Sequence, residues 1–378
     1  MKRKRINICF IAVVLSVCLI LLNIFTSKGT RYTVRFVDGN GVAVLNTRVI
    51  SKSHNKIPSF IMAKKVRGYH VKKRLRVVVG MNQKITFKYI PNIRNVSKIV
   101  KKSKYIATSF QVIGHKVTKK GYQIDGGNDV LRIIYSNDGV NWKRLATNYP
   151  KVTVRDPDMI RIGNWWYIIG TERILLKTQD FRHWDRVSWN DGNTHFGAIW
   201  APEFFRDAQG KVHIIISATF PKEGYFRVYV SDFDSSTGKI TGNWVKVTGG
   251  KIDDETTGGI IDPHMQYLNG EYYLWCTKRT QTDLLLLKSK NYLSGFKDIT
   301  LKMTPSNEYK GAMSFEAPET ERINKNKVLL YFDQYREFKG EYMYYGVHVR
   351  TLNLQNFSLS KTQKLKSDFL VRHVGILQ

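Results

Sequence analysis

Residues 155–171 read RDPDMIRIGNWWYIIGT, and this stretch decides the fold. An acid before a proline opens a short strand, Gly163-Asn164 turns the chain, and an aromatic strand returns. A similar unit recurs as IDPHMQYLNGEYYLWCT from Ile261. Looser copies are WAPEFFRDAQGKVHIIISA from Trp200 and FEAPETERINKNKVLLYFD from Phe315. A second motif marches in step: a strand, then Ser/Thr-x-Asp/Asn, then an aromatic. It occurs as YSNDGVNW at Tyr135, KTQDFRHW at Lys177, VSDFDSSTGKITGNW at Val230, KSKNYLSGF at Lys288 and RTLNLQNF at Arg350. Five copies at intervals of roughly 40 to 60 residues, each carrying several short strands, predict an all-β, five-bladed β-propeller over residues 105–378. A β-sandwich would not explain two repeats in step.

In a propeller the first strand of each blade lines the axis, so acids at equivalent blade entries converge. Asp156, Asp262 and Glu316 stand at such entries. Three crowded carboxylates cannot all ionise cheaply, and at least one pKa rises. A neutral acid beside an ionised base is what glycosidic cleavage needs, one to protonate the leaving oxygen and one to activate water. An aspartate before proline alone often just caps a turn; the repetition is what singles these out.

With these motifs, residues 105–378 resemble glycoside hydrolase family 43. The resemblance implies a five-bladed propeller and inverting hydrolysis of pentose-containing glycans (arabinose or xylose), of the α-L-arabinofuranosidase, arabinanase or β-xylosidase type. It implies Asp156 as general base, Asp262 as the aspartate that tunes the acid, and Glu316 as general acid. Trp200-Ala201-Pro202 matches the family's W-A-P, and Arg372-His373-Val374 stands for a late R-H-G. Ala317 replaces the glycine of E-G-P and Val374 that of R-H-G, so a backbone approach and the closing turn are expected to differ. Trp200, His373 and Arg155 are expected to contact substrate, although Trp200 would serve equally in blade packing. No cofactor or metal is required for the chemistry. A structural calcium or water cluster beside His373 is one expectation, a histidine hydrogen-bonded in the axis the other. Asp158 and Glu319 read as turn or supporting residues, and Glu203 as an ion-pair partner for an arginine.

The net charge of +31 is uneven. Residues 1–104 hold 24 of the 61 Lys and Arg and one acid, Asp38, while the remainder carries only +8. Such a field favours anionic partners. After MKRKR, the uncharged run Ile6–Phe25 is long enough, at about 1.5 Å per residue, to cross a bilayer. It is expected to be an uncleaved signal anchor, with residues 1–30 as basic cytoplasmic tail and span, and the rest outside the cell membrane. If it is cleaved instead, the protein is secreted. LSVC at Leu15–Cys18 is a weak lipoprotein signal, Val17 being bulky for its position. An extracytoplasmic placement excludes nucleic acid as partner and leaves an anionic cell-wall polymer, bound through residues 31–104. Residues 31–91 alternate apolar and polar side chains around the Asp38-Gly39-Asn40-Gly41 turn, and with Gly68-Tyr69 they resemble the mucin-binding-protein-like repeats of bacterial surface proteins. Residues 92–104, NIRNVSKIVKKSK, read as an aperiodic basic linker. Cys276 reads as a small buried hydrophobe.

Two alternatives differ in class. One is a non-catalytic cell-wall glycan-binding or adhesion protein on a propeller scaffold. The other is a retaining mechanism, as in the related fructan-processing enzymes, whose signatures are not seen here.

Overall fold

The computed structural model describes residues 30–377 apart from 53–58, 78–82, 93, 119–120, 124–127, 280–283, 301–313 and 339–340. The expected anchor, Ile6–Phe25, lies outside the described residues. Among the described residues no helix is long and apolar enough to cross a membrane. The chain divides into two units, Met1–Pro91 and Asn92–Gln378.

In the first unit, strand Thr30–Val37 pairs antiparallel with Ala43–Lys52 and parallel with Gln83–Lys88. The expected turn is present, with Asp38 Oδ1 accepting the N–H groups of Asn40 and Val42. Phe36 stacks on Phe87 at 5.7 Å, and Tyr89 closes the core edge-on to Tyr69.

The second unit opens with a correction. The expected linker contains helix Arg94–Lys102. Val96, Ile99 and Val100 recur at helical spacing between the lysines, and Val96 is buried. The basic residues masked a real 3.6-residue period, and Lys101 and Lys102 suit the last turn of a helix.

Five antiparallel sheets follow. Blade I orders Lys143–Arg144, Asn128–Ser136, Tyr105–Ile113 and, innermost, Arg372–Ile376. The ring is thus closed by a strand more than 250 residues downstream of the strand it pairs with. The inner strands of blades II to V are Asp158–Ile162, Ile199–Arg206, Ile260–Leu268 and Ser314–Asn324.

Each copy of the second sequence motif is the turn from the third to the fourth strand of a blade. Asp138 Oδ1 accepts from the N–H groups of Val140 and Asn141. Asp180 Oδ1 likewise accepts from Arg182 and His183. Asp234, Ser289 and Asn353 accept from Ser236, Asn291 and Gln355 in their own blades. The aromatic that ends each motif packs between sheets: Trp142, Trp244, Phe296 and Phe357 each join an interblade core, and Trp184 lies against Phe181. Burying such side chains contributes about 1.5–3 kcal/mol each. The motif therefore persists because each blade needs both a short capped turn and an apolar wedge. Cys276 is fully buried in the core between blades III and IV.

Candidate active site

The five inner strands begin alike. Arg155-Asp156-Pro157-Asp158, Trp200-Ala201-Pro202-Glu203, Ile261-Asp262-Pro263-His264, Glu316-Ala317-Pro318-Glu319 and Arg372-His373-Val374-Gly375 fall on blades II, III, IV, V and I. In every one the second residue has positive φ: Asp156 46°, Ala201 41°, Asp262 51°, Ala317 53° and His373 44°. Pairing with the next strand skips at this point in blades I, III, IV and V. A bulge of this kind re-aims side chains, and four of them, with the positive-φ turn of blade II, ring one mouth. Such backbone costs of order 1–3 kcal/mol per residue and persists only where its surroundings fix it. Neighbouring blades do the fixing. Ala201 N–H donates to Thr171 Oγ1 (3.0 Å), Ala317 N–H to Asp262 Oδ2 (3.0 Å) and His373 N–H to Asp333 Oδ2 (3.2 Å).

The three sequence-predicted acids share this mouth. Burial works to raise Asp156, but His373, Arg155, the Thr171 hydroxyl (2.7 Å) and Arg372 together hold it below the usual carboxylate range. Burial and the neighbouring arginines push His373 down to about 4, so at neutral pH its ring is uncharged. The two arginines and Thr171 are then what keep Asp156 ionised. Glu316, half-buried, is pushed up to about 7 by burial and by Asp156, against the pull of Arg372 and Arg155. Asp262 is raised well above the carboxylate range by burial, then by Glu316 and Asp156. Of these three carboxyls, Asp156 is thus ionised near neutral pH, Asp262 is protonated and Glu316 is close to its midpoint.

The remaining predicted residues fall as follows. The Arg155 side chain is half-exposed, 3.5 Å from Asp129. Trp200 is half-buried, its ring 4.3 Å from that of Phe226, with the Arg279 guanidinium over both. Trp200 thus contacts a packing partner and a cation. His373 is buried, its Nδ1 3.6 Å from Asp156 Oδ1.

Three residues of the mouth escaped the sequence reading. Arg372 is buried beneath the rings of Phe110, Tyr335 and Tyr344, and donates to the Tyr335 hydroxyl. Asp333, raised to about 7 by burial, is held by Tyr344 and the His373 N–H. Thr171 links Asp156 to the next blade. Arg372 stood beside the predicted His373 and was the one with a signal; Asp333 and Thr171 lie inside apolar strand ends without one.

The departures at Ala317 and Val374 have physical explanations. Position 317 has positive φ, which glycine adopts freely and alanine does not. Val374 takes the place that proline holds in the other four blades, and the glycine comes one residue later. A Cβ on Gly375 would meet Pro157 O at 2.5 Å and Asp158 Cα at 2.7 Å. Glu203 pairs with His264, at 2.7 Å, rather than with an arginine. Asp158 and Glu319 are no turn residues but lie buried one step inward from the mouth.

Comparison with known proteins adds to this geometry. A family model described as "Probable glycosyl hydrolase domain", related to glycoside hydrolase family 43, matches residues 133–378. The chain belongs to this family. Its glycosyl hydrolase domain superposes on a thermostable family-43 glycoside hydrolase with TM-score 0.50 at 12% identity, over 70% of this chain and 96% of that one. An endo-1,4-β-xylanase of Bacteroides thetaiotaomicron gives 0.49 at 11% identity, over 68% and 98%. A xylan β-1,4-xylosidase of Bacillus halodurans gives 0.45 at 14%, over 68% of this chain and 56% of its own length. At these identities the likeness concerns the fold. No curated protein sequence matched the chain.

Proposed function

We propose that the glycosyl hydrolase domain cleaves pentose-containing glycans by single displacement, with Glu316 as acid, Asp156 as base and Asp262 holding the acid in its protonated range. The observation that carries this reading is the divergence of two carboxyls in one mouth: Asp156 is held down by arginines and a hydroxyl, and Glu316 is pushed up to about 7. An ionised base and a neutral acid are the pair that glycoside hydrolysis uses. Arg155 and Trp200, each just before the positive-φ residue of its blade, would contact the sugar. The chemistry asks for no cofactor; a calcium beside His373 would be structural, and chelation that lowers stability without changing the reaction's pH profile would support it.

The test is an assay of the purified full chain on aryl β-xylosides, aryl α-L-arabinofuranosides and arabinan, with the product anomer followed by proton NMR. Inverted product from the wild type and its loss in Glu316→Gln support the reading. Equal activity of wild type and variant on every cleaved substrate would overturn it.

The first unit is proposed to hold an anionic wall polymer, as its mucin-binding-like motifs suggested. The support is charge: Lys64, Lys65, Lys72, Lys73, Arg74, Arg76, Lys84 and Lys88 are all exposed, while the one acid, Asp38, is buried in its turn. Binding of the full chain to purified cell walls should weaken steeply with salt and with removal of anionic polymer. The anchor Ile6–Phe25 is likewise a proposal, tested by whether the chain fractionates with membranes and is shaved from intact cells by protease.

A further inference from the structure

One step inward from the mouth, the fourth residues of the inner strands gather in a second cluster. Asp158, Glu203, His264 and Glu319 are 1%, 2%, 0% and 1% exposed. Donor atoms of Glu203, His264 and Glu319, drawn from blades III, IV and V, all lie within 4.8 Å of one another. His264 Nδ1 is 2.7 Å from Glu203 Oε2 and 3.4 Å from Glu319 Oε2. Neither oxygen of Glu319 makes a hydrogen bond of normal geometry, and Asp158 Oδ1 has none either. A buried carboxyl without partners is costly. Among the described residues, His264 is the one cationic group within ion-pair distance of Glu203 or Glu319. The pocket thus holds carboxyl oxygens of Glu319 and Asp158 without a hydrogen-bond partner, and no arginine or lysine among the described residues pairs with Glu203 or Glu319.

We propose that Glu203, His264 and Glu319 bind one divalent transition-metal ion, zinc fitting best, on the propeller axis and apart from the catalytic acids. One imidazole nitrogen with carboxylate oxygens suits zinc and its first-row neighbours, whereas calcium asks for six to eight oxygens. The second face of His264 is already arranged for a ligand. Its Nε2 lies 2.7 Å from Thr320 Oγ1, which donates to Gln266 Oε1 at 2.9 Å. Nε2 also accepts the Thr320 N–H at 3.2 Å; with an ion on Nδ1 it would carry the proton and donate to Thr320 Oγ1 instead, the usual arrangement for metal-bound histidine. The ion would tie three blades together and act on stability, not on the bond cleaved.

The test uses the purified full chain without a metal-affinity tag, stripped with chelator and titrated with zinc chloride alone. One equivalent bound per chain and an upward shift of the unfolding temperature are expected. Glu319→Gln should weaken binding about 10–100-fold. Anomalous difference density at the zinc edge from the wild type, between Glu203, His264 and Glu319, decides the question even if the variant fails to fold. No binding at millimolar zinc to the folded, stripped chain would overturn the proposal, as would zinc located elsewhere. Calcium bound at this cluster more tightly than zinc would overturn the choice of metal class. None of these readouts uses glycosidase activity, so they stand or fall apart from the proposed reaction.

Discussion

The mouth and the layer beneath it are built from the same strands, two residues apart, and both are rich in carboxyls. Their protonation differs because their cations differ. Arg155 and Arg372 reach the mouth and lower both Asp156 and Glu316; His373 and the Thr171 hydroxyl act on Asp156 besides, so it is held down while Glu316 stays near 7. No arginine or lysine pairs with the described carboxyls of the deeper layer, and all three are raised together. Splitting leaves an ionised carboxyl beside a partly protonated one, the pair the proposed reaction needs; raising all of them leaves a protonated layer, the one proposed to hold a metal. The position of two guanidinium groups thus separates chemistry from scaffolding within one strand turn.

The strongest challenge to this contrast is Glu316→Gln. Loss of a positioned general acid costs typically 10²–10⁴-fold, so kcat on a poor leaving group should fall by about that factor, and less on a good one. Steady-state kinetics on paired aryl glycosides would show the difference; equal losses would argue against Glu316 as acid. Arg372→Leu should make the mouth resemble the deeper layer. Breaking its buried pairing is expected to cost about 3–5 kcal/mol. All eight tryptophans lie between residues 142 and 275, so their fluorescence in denaturant reports the propeller alone. In the folded variant, both limbs of the kcat/KM profile should move to higher pH, since Arg372 lowers both Asp156 and Glu316.

The linkage to pH has a definite sign. An acid raised in the folded state binds its proton more tightly there than when unfolded, so the native state holds more protons and stability falls as pH rises. For Glu316, Asp333 and Glu321 the fall begins near the ordinary carboxylate values of about 4 and is complete above about 7. The chelator-stripped chain should therefore lose on the order of a few kcal/mol between pH 5 and 8, read from denaturant midpoints at fixed salt. Gly375→Ala is expected to cost about 1–3 kcal/mol by overpacking against the blade II backbone. Ala317→Gly should have the smallest effect. Relief of positive φ, roughly 1–2 kcal/mol, is offset by about 0.4–1 kcal/mol from the freer unfolded chain, leaving a slight gain in the denaturant midpoint.

Much of the blade pattern was legible because each repeat has a local cause: a side chain capping its own turn and an aromatic wedging the blade interface. Asp156, Asp262 and Glu316 were legible for the same reason, standing at one place in that repeat. Arg94–Lys102 was not, since lysines diluted a short apolar period. The Glu203–His264–Glu319 cluster was invisible to spacing, its members lying 61 and 55 residues apart and meeting only when the ring closes. Asp333 depends likewise on a cross-blade contact that no local pattern encodes.

Ring closure by Arg372–Ile376 also has a temporal meaning. That strand carries both Arg372 and His373, the groups that face Asp156 from blade I. A nascent chain stalled or cut anywhere before residue 372 would lack the clasp and, with it, two of the groups that hold Asp156 below the usual carboxylate range. The charge balance around Asp156 is therefore set only once that strand has joined the ring.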